Sequence, residues 1–329
     1  GPLLNGGICV VCPEQDVDFQ QLEIVIRQQG VTCLWLTAGL FNQIIDARHS
    51  VFKTVQQVLT GGEALSVSHV QKAVNQFPRL RLTNGYGPTE STTFACCHAI
   101  SPEETFSTGS VSIGRPIANT QLYILDGHLQ PMPVGVAGEL HIGGDGLARG
   151  YLNRPELTAE KFIAHPFNAE PGARLYKTGD LCRYLADGNI EYLGRMDQQV
   201  KLRGFRIELG EIEAVLNGHP GIRECVVAAR TAADGAKMLA AYLVVRTEPA
   251  PTVAELREFL LAKLPDYMVP AAFVVLAKLP LTPNGKVDRK ALPAPDENRL
   301  ASGVEHVPPS TPTEVALAQI WVELLGLKQ

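Results

Sequence analysis

The eleven residues from 84 to 94, NGYGPTESTTF, have the side chains that phosphate chemistry needs. Glycines allow the backbone to approach a ligand closely. Serine and threonine hydroxyls can donate hydrogen bonds to phosphate oxygens, and Glu90 supplies a carboxylate of the kind that binds Mg²⁺. A polar strand-to-helix turn, capped by a hydroxyl, has the same composition. From these residues alone the two interpretations have equal standing.

Three other short segments could contribute to the same chemistry. Residues 176–180, YKTGD, place Asp180 after a turn, where its carboxylate could accept hydrogen bonds from ribose hydroxyls, although an isolated Thr-Gly-Asp is common. Residues 143–146, GGDG, are fully explained by a glycine-rich hairpin turn. Residues 284–286, NGK, end in Lys286, and an exposed turn lysine usually has no function.

Charge is concentrated between Gly194 and Glu213, where eight of twenty residues are charged, against 19% for the whole chain. Apart from Asp197, the cations come first and three glutamates follow. Apolar residues alternate as in a strand at 200–202 and then recur as on one face of a helix at 209–216. This stretch is either a solvated loop before a charged helix or a mobile cationic element that meets an anionic ligand.

Strands and helices alternate over the first part of the chain, which predicts a parallel sheet with right-handed crossovers. The predicted strands cover 8–12, 31–36, 55–59 and 80–83, and the predicted helices cover 19–30, 38–46 and 65–77. Ligands of such sheets bind beyond the carboxyl ends of the strands. Trp35, the run TGGE at 60–63 and the segment 84–90 lie at these ends, so we expect them to form one pocket.

Short strands punctuated by glycine and proline from 108 to 193 predict a barrel-like β subdomain. A compact α+β pattern follows, with expected elements at 207–217 (helix), 224–230 and 238–246 (strands), 253–264 (helix) and 272–277 (strand). The fold class is therefore α/β: a parallel βαβ sheet region and a barrel-like β subdomain, followed by a small mobile α+β carboxy-terminal subdomain. Residues 293–312 are typical of a linker, and 314–325 of an amphipathic helix.

Composition excludes several functions. With 29 basic and 34 acidic residues in 329, the net charge of −5 gives no field that favours nucleic acid. No apolar run is long enough to span a membrane. Seven cysteines in a chain of this length do not indicate a disulfide framework, and the spacing Cys9–Cys12 fits a buried strand better than a metal or redox site. A cytoplasmic location is expected.

Six motifs occur in series along the chain: NGYGPTE at 84–90, GELHIGGDGLARGYLNRPELTAEKF at 138–162, YKTGDL at 176–181, the charged stretch at 194–213, LPDYMVP at 264–270 and NGKVDRKAL at 284–292. Together they closely resemble the adenylation domains of nonribosomal peptide synthetases, within the adenylate-forming superfamily of acyl-CoA synthetases and luciferases. The tail PPSTPTEVALAQIWVELLG resembles the first helix of a peptidyl carrier domain, which favours peptide synthetases over free-standing CoA ligases.

The resemblance implies four regions: the carboxy-terminal part of the large adenylation subdomain at 1–195, the small mobile subdomain at 196–295, a linker at 296–312 and the start of a carrier domain at 313–329. The family's lysine-containing phosphate loop, and the aspartate that pairs with the substrate amine, have no counterpart in the sequence. We therefore expect an amino-terminally truncated domain that is incomplete for catalysis by itself.

Family members activate a carboxylate with ATP and Mg²⁺ to acyl-AMP and pyrophosphate, then transfer the acyl group to the phosphopantetheine thiol of a carrier domain. The resemblance implies that Asn84 and Tyr86 contact adenine, Thr89 binds phosphate and Glu90 binds Mg²⁺. Asp180 is expected to accept the ribose hydroxyls. Catalysis is expected to rest on positioning and electrostatics rather than on a covalent nucleophile.

Further roles follow from the same resemblance. Arg195 is expected near ribose and phosphate, and Lys286 is expected to bridge the substrate carboxylate, the ribose and the α-phosphate. Lys286, Glu90 and Thr89 form the expected catalytic set. The other residues expected in the ATP- and AMP-binding set are Gly61, Gly62, Glu63, Gly85 and Lys201.

The resemblance also marks the residues that select the amino acid: Trp35, Leu59, Gly61, Gly85, Thr93 and Phe94. None of these carries a charge, and two bulky aromatic rings with a leucine leave a small apolar cavity. The combination resembles valine-type pockets, so valine is the expected substrate, with isoleucine differing by one methylene. The alternative for Trp35 is a core residue at the end of a buried strand.

The family places a hinge at the boundary between its subdomains, and Asp197 is the expected pivot. Rotation of 198–295 is expected to bring Lys286 over the site for adenylation, and the loop around Lys201, Arg203 and Gly204 for thioester formation. Carrier domains and neighbouring synthetase modules are the expected partners. Two alternatives stay open: an acyl- or aryl-CoA ligase, and a docking or scaffold remnant without turnover.

Overall fold

The computed structural model describes residues 2–11, 19–47, 50–104, 106, 109–197, 199–202, 204–231, 237–246, 249–282, 287–295, 309 and 311–325. Its contacts divide the chain into two compact units, Gly1–Glu208 and Leu209–Gln329. The subdomain boundary expected at 195/196 stays a prediction, and the first unit extends to 208 because a short hairpin packs within it.

The first unit opens with a sheet of five strands flanked by helices. Its elements are α1 (Phe19–Gln29), β1 (Cys33–Thr37), α2 (Ala38–Asp46), β2 (Gln57–Gly61), α3 (Val67–Gln76), β3 (Arg81–Tyr86), β4 (Cys96–Ile100) and β5 (Arg115–Pro116). Strands β1, β2 and β3 are parallel neighbours, whereas β4 and β5 continue the sheet antiparallel. The predicted βαβ alternation is therefore confirmed from β1 to β3.

The alternation of side chains along these strands separates a core face from a second face. Leu34 pairs with Val58 and Val58 with Leu82, and these residues join the buried cluster beneath α2 and α3. Helix α2 starts at Thr37, whose hydroxyl accepts a hydrogen bond from the Leu40 amide at 3.4 Å. Because strand side chains alternate, the neighbouring positions of β1, β2 and β3 face the other way.

The strand predicted at 8–12 is wrong over its described residues. Residues 7–11 have no regular secondary structure, and Ile8 and Val11 are 86% and 82% exposed. An apolar run forms a strand only where another strand pairs with it, and the structure pairs this run with none of the described strands. Cys9, expected to be buried, is exposed.

The second part of the first unit is an antiparallel sheet. It contains β6 (Thr120–Leu125), β7 (Gly138–Gly144), β8 (Phe162–Ala164), β9 (Arg174–Tyr184) and β10 (Ile190–Arg195), with α4 (Pro155–Lys161) before β8. The strand order is β10-β9-β7-β6, and β8 pairs with β9. This sheet encloses a core of its own around Ile124, Leu140 and Ile142. A curled β subdomain is thereby confirmed, and with it the predicted fold class.

A two-stranded hairpin, β11 (Val200–Leu202) and β12 (Phe205–Ile207), completes the first unit. The second unit contains α5 (Leu209–Asn217), β13 (Ile222–Thr231), β14 (Lys237–Val245), α6 (Val253–Leu261), β15 (Ala272–Val275) and α7 (Pro312–Leu325). Strands β13 and β14 are antiparallel, and β14 and β15 are parallel. The helices and strands predicted here are confirmed within a few residues. None of the helices in the described ranges is long and apolar enough to cross a membrane.

An ion pair in the second unit connects the segment after β15 to helix α5. Arg289 Nη2 lies 2.7 Å from Glu213 Oε1, and its Nη1 donates to the Val227 carbonyl of β13. The same Glu213 oxygen accepts the Val227 amide at 2.8 Å. One arginine thus links α5, β13 and the segment after β15.

We expect Arg289→Met to lower the free energy of unfolding of the second unit by about 2 kcal/mol, because a half-buried carboxylate loses a charged partner. Arg257→Met, at an exposed position of α6, should change it by less than about 0.5 kcal/mol. Urea titration of both variants measures the difference. Equal stability of the two variants would show that the Arg289 contacts are incidental.

Glycine is required where β2 and β3 run side by side. Gly61 pairs with Gly85, and a Cβ on Gly61 would overlap the Gly85 carbonyl oxygen. A backbone oxygen cannot move without breaking the sheet. Gly39 in α2 is the opposite case, since a Cβ there meets nothing within 4 Å.

Gly61→Ala should therefore destabilise the first unit by about 3 kcal/mol through overpacking. Gly39→Ala should be neutral or stabilising by up to about 1 kcal/mol, because alanine favours a helix. Hydrogen exchange of the β2 amides under mild denaturant measures both changes. A Gly61→Ala protein as stable as Gly39→Ala would contradict the tight register.

Candidate active site at the strand ends

The carboxyl ends of β2 and β3 form a narrow floor. Thr37 at the end of β1 pairs with Gly61, which pairs with Gly85. A Cβ on Gly85 would lie 2.5 Å from the Phe94 ring, so this ring covers the floor directly. Gly62 follows with φ +85°, a left-handed conformation that favours glycine. The sequence run TGGE thus turns sharply where β2 ends.

The segment after β3 folds into a tight loop rather than a helix. Thr89–Ser91 form a single 3₁₀ turn, and Thr92 and Thr93 have φ of +58° and +72°. The Thr92 hydroxyl donates to the Gly146 carbonyl at 2.8 Å, which fixes this loop to the chain leaving β7. The GGDG run was predicted to be a hairpin turn. It instead ends β7 and packs on the loop, because the next strand, β8, follows α4.

Glu90, in the 3₁₀ turn of that loop, is buried and has two kinds of partner. The Tyr151 hydroxyl donates to Glu90 Oε1 at 2.5 Å. Arg206 Nη1, from β12, lies 3.0 Å from Oε1 and 2.8 Å from Oε2. Arg206 Nη2 also donates to the Tyr176 hydroxyl at 3.3 Å. The carboxylate is therefore held by a tyrosine of the β subdomain and by a cation of the hairpin.

These partners set the charge of Glu90. Burial by itself raises the pKa of this carboxyl, but the Tyr151 hydrogen bond and the Arg206 charge outweigh it, and the net pKa is lowered. Burial raises the pKa of Tyr151, and its bond to Glu90 raises it further, so the tyrosine stays a donor. Glu90 is thus an anion at neutral pH.

A second buried carboxylate, Asp180, lies on β9. The Tyr86 hydroxyl donates to its Oδ2, and Arg195 Nη1 lies 2.9 Å from its Oδ1. Arg195 Nη1 also donates to the Thr178 carbonyl at 2.8 Å, and its Nε donates to Asp197 Oδ1 at 2.8 Å. Each carboxylate oxygen of Asp180 keeps a lone pair for another donor.

Asp197 lies where β10 passes into the hairpin. Its carboxylate accepts from Arg195 and from the Gln199 amide at 3.0 Å. Burial raises the pKa of Asp197, but the Arg195 bonds outweigh it and the net pKa is lowered. The pivot predicted here stays a prediction.

The β11–β12 hairpin lies over the strand ends. The Gly204 amide donates to Glu63 Oε1 at 3.0 Å, and Lys201 Nζ lies 5.4 Å from the centre of the Tyr86 ring. Burial lowers the pKa of Lys201, although Asp180 opposes the shift. The cationic element predicted from the sequence therefore meets this edge, and its partners in the structure are carboxylates and a ring.

The residues expected to select the substrate share the face opposite the core. Trp35 of β1 pairs with Leu59 of β2. Two residues further along, Thr37 pairs with Gly61, so both pairs lie on the same face of the sheet. Trp35 is 50% exposed, so it is not the buried core residue that its alternative interpretation required. The Phe94 ring packs on Gly85 at the far side. The structure thus brings five of the six selectivity positions to one face, while Thr93 is exposed on the adjoining loop.

Asn84, Thr89 and Lys286 complete the predicted set. The buried Asn84 amide nitrogen donates to the Ser112 carbonyl at 2.8 Å, and the expected contact of this residue with adenine stays a prediction. Thr89 is exposed at the start of the 3₁₀ turn. Lys286 and Arg203 lie outside the described residues.

The predicted magnesium position has a single carboxylate, Glu90. Among the described residues no group of three or more histidine, cysteine, aspartate or glutamate side chains could hold a metal. One carboxylate fits Mg²⁺ if water and nucleotide phosphates supply the other ligands, as this ion commonly requires. Glu90 could therefore hold Mg²⁺ only together with a nucleotide.

Comparison with known proteins identifies the family. Residues 1–152 match the model of AMP-binding enzymes, and residues 211–286 match the model of the AMP-binding enzyme C-terminal domain. The chain belongs to the AMP-binding enzyme family. The resemblance to nonribosomal peptide synthetase adenylation domains is also confirmed by its relatives.

Those relatives are very long proteins. Tyrocidine synthase 3 of Brevibacillus parabrevis is 50% identical over 99% of this chain, which spans 5% of that protein. Gramicidin S synthase 2 of Brevibacillus brevis is 46% identical over the whole chain, which spans 7% of it. In the structure of holo-PA1221, an NRPS protein with adenylation and PCP domains bound to a vinylsulfonamide inhibitor, 38% of residues are identical and the TM-score is 0.80. That match covers 99% of this chain and 53% of that one.

Three residues that contact Glu90 or its partners were not predicted from the sequence. Tyr151 and Tyr176 lie inside two of the matched motifs, and Arg206 lies in the charged stretch, but none was assigned to the site. Tyr151 is 61 residues from Glu90 and Arg206 is 116 residues from it. Periodicity does not show which residues will meet over such separations.

The lowered pKa of Glu90 gives this AMP-binding enzyme a pH-dependent stability. A carboxyl with a depressed folded-state pKa stabilises above its unfolded pKa, near 4.5, and the stabilisation is lost as pH falls through the folded value. Glu90→Gln should therefore be less stable than the wild type by about 2 kcal/mol at pH 7. The gap should narrow as pH falls below 4.5 and vanish once the pH lies below the folded-state pKa, when both carry a neutral side chain. Urea titrations at pH 7 and pH 3.5 measure it, and a constant gap would refute the assignment.

Proposed function

We propose that this chain is part of a nonribosomal peptide synthetase adenylation domain. Its reaction would join an amino acid to ATP as aminoacyl-AMP with release of pyrophosphate, then transfer the aminoacyl group to a carrier phosphopantetheine thiol. The observation that carries the proposal is a pair of buried carboxylates, Glu90 and Asp180, each bonded to a tyrosine hydroxyl and to an arginine. Similarity to peptide synthetases along the whole chain supports it.

The nucleotide site follows from the groups present. Asp180 keeps lone pairs for ribose hydroxyls, and it forms an ion pair with Arg195 beside them. The motif resemblance makes Tyr86 the proposed partner of the adenine ring, and Asn84, whose amide nitrogen donates to the Ser112 carbonyl, the proposed acceptor for the adenine amino group. The exposed Thr89 is the proposed donor to a phosphate oxygen.

The negative charge of the phosphates needs a compensating cation, and Glu90 is the proposed ligand of that cation. When bound to Glu90, Mg²⁺ would neutralise charge that develops on the phosphates. Lys286 is the proposed partner of the substrate carboxylate. Both proposals rest on the motifs in which these residues lie.

The substrate proposal is valine. Trp35, Leu59 and Phe94 supply apolar surface on the face opposite the core, and Gly61 and Gly85 leave the floor without side chains. An uncharged wall of this kind favours a small apolar side chain and disfavours a charged one, since nothing in it would pair with the charge.

A carrier domain is the proposed partner on the carboxy-terminal side. Helix α7 exposes Val315, Leu317, Ile320 and Trp321, a set of apolar residues that a folded carrier domain could cover. A cytoplasmic location is part of the proposal, and the six cysteines of the described residues are all free.

An amino-acid-dependent ATP–pyrophosphate exchange assay, made with the chain in its full adenylation domain, tests the function. Valine should exceed isoleucine by about tenfold, the discrimination that one methylene gives in an apolar pocket. Leucine and phenylalanine should be poorer still. Preference for either would overturn valine, and dependence on a fatty acid would favour an acyl-CoA ligase. ATP binding without any exchange would favour a docking remnant.

A further inference from the structure

We propose that Arg206 and a divalent metal ion compete for Glu90, so that the β11–β12 hairpin docks on the strand ends only when the metal has left. The inference deepens the proposed function and rests on it, because the metal would arrive with the nucleotide. It assigns to Arg206 the part of a positioning residue that takes the place of the ion.

The contact geometry makes simultaneous binding unfavourable. Arg206 Nη1 reaches both carboxylate oxygens of Glu90, at 3.0 and 2.8 Å. A magnesium ion would need one of the same oxygens at about 2.0–2.1 Å. Two cations within a few ångströms of each other also repel. A metal ion on Glu90 therefore weakens the Arg206 contact.

The Arg206 position is a built site rather than a surface ion pair. Its side chain is 33% exposed and that of Glu90 is 9% exposed. The second guanidinium nitrogen donates to Tyr176, whose hydroxyl lies 3.4 Å from that of Tyr151. The planar fork of an arginine thus spans a carboxylate and a tyrosine that are both fixed by the β subdomain.

Burial explains why an exchange of cations is needed. An isolated buried carboxylate is costly, and removal of its cation leaves that cost uncompensated. Tyr151 stays bonded to Glu90 but brings no positive charge. If the metal leaves, the positive charge of Arg206 compensates the Glu90 carboxylate. If Arg206 leaves, the metal ion compensates it.

The hairpin transmits this exchange to the rest of the edge. Lys201 pairs with Arg206 in the antiparallel ladder, so both side chains extend from the same face of the hairpin. Lys201 reaches Tyr86, and the Gly204 amide reaches Glu63. Release of Arg206 from Glu90 therefore weakens a set of contacts that cover the nucleotide site. Because binding linkage is reciprocal, a docked hairpin lowers metal affinity by the same factor.

The experiment measures metal binding and hairpin docking separately. Manganese, a paramagnetic substitute for magnesium, is titrated by electron paramagnetic resonance in the presence of α,β-methylene-ATP. Arg206→Met should bind Mn²⁺ about tenfold more tightly than the wild type, because a charge-assisted competitor has been removed. Arg206→Lys keeps the positive charge without the planar guanidinium. Its Mn²⁺ affinity should lie between those of the wild type and Arg206→Met. Arg223→Met, which removes an exposed arginine paired with its neighbour Glu224, is the matched control and should bind as the wild type does.

Hydrogen exchange at the Gly204 amide reports whether the hairpin is docked. In the wild type, nucleotide with metal should raise this exchange, and nucleotide with a chelator should leave it unchanged. Equal Mn²⁺ affinity in the wild type and Arg206→Met would overturn the inference, and so would exchange at the Gly204 amide that does not change with the metal. In either case, binding of the nucleotide analogue would still support the proposed function. If the nucleotide analogue does not bind, both the proposed function and the inference fail.

Discussion

The two buried carboxylates of the first unit, Glu90 and Asp180, determine how its site is assembled. A carboxylate out of water must be paired, and the unpaired form would cost several kcal/mol. Their cations, Arg206 and Arg195, come from the same short stretch after β9. The position of that stretch is therefore dictated by charges that two other parts of the chain provide. A charged segment that looks like solvated surface in the sequence becomes part of the site.

The glycine floor imposes a second constraint on the same edge. Parallel strands β2 and β3 bring Gly61 against Gly85 with no room for a side chain, and the Phe94 ring packs on Gly85. Backbone close to backbone leaves a flat surface on which a ligand can lie. The sheet thus supplies shape, and the carboxylates and arginines supply charge. Neither alone would favour a nucleotide with its phosphates.

Much of this could be predicted from the sequence. The strands and helices from β1 to β3 follow from apolar periodicity, and the rule about strand ends places Trp35, the TGGE run and the 84–90 segment at one edge. Local patterns could not show that Arg206 would reach Glu90, since any cation of the charged stretch satisfied the same pattern. They also failed at residues 8–11, where an apolar run without a strand partner stays exposed. Pairing over long separations depends on the assembled fold.

The two arginines differ in how firmly they are held, and this difference assigns them different tasks. Arg195 is 12% exposed and bonds to Asp180, to Asp197 and to the Thr178 carbonyl, so several elements would have to move to release it. Arg206 is 33% exposed, bonds to Glu90 and one tyrosine hydroxyl, and has a looser ion pair at 3.9 Å with the exposed Glu208. The Asp197 carboxylate bonds to Arg195 and to the Gln199 amide. A change in the charge around Glu90 would therefore act on the hairpin first and leave the Arg195–Asp180 pair in place.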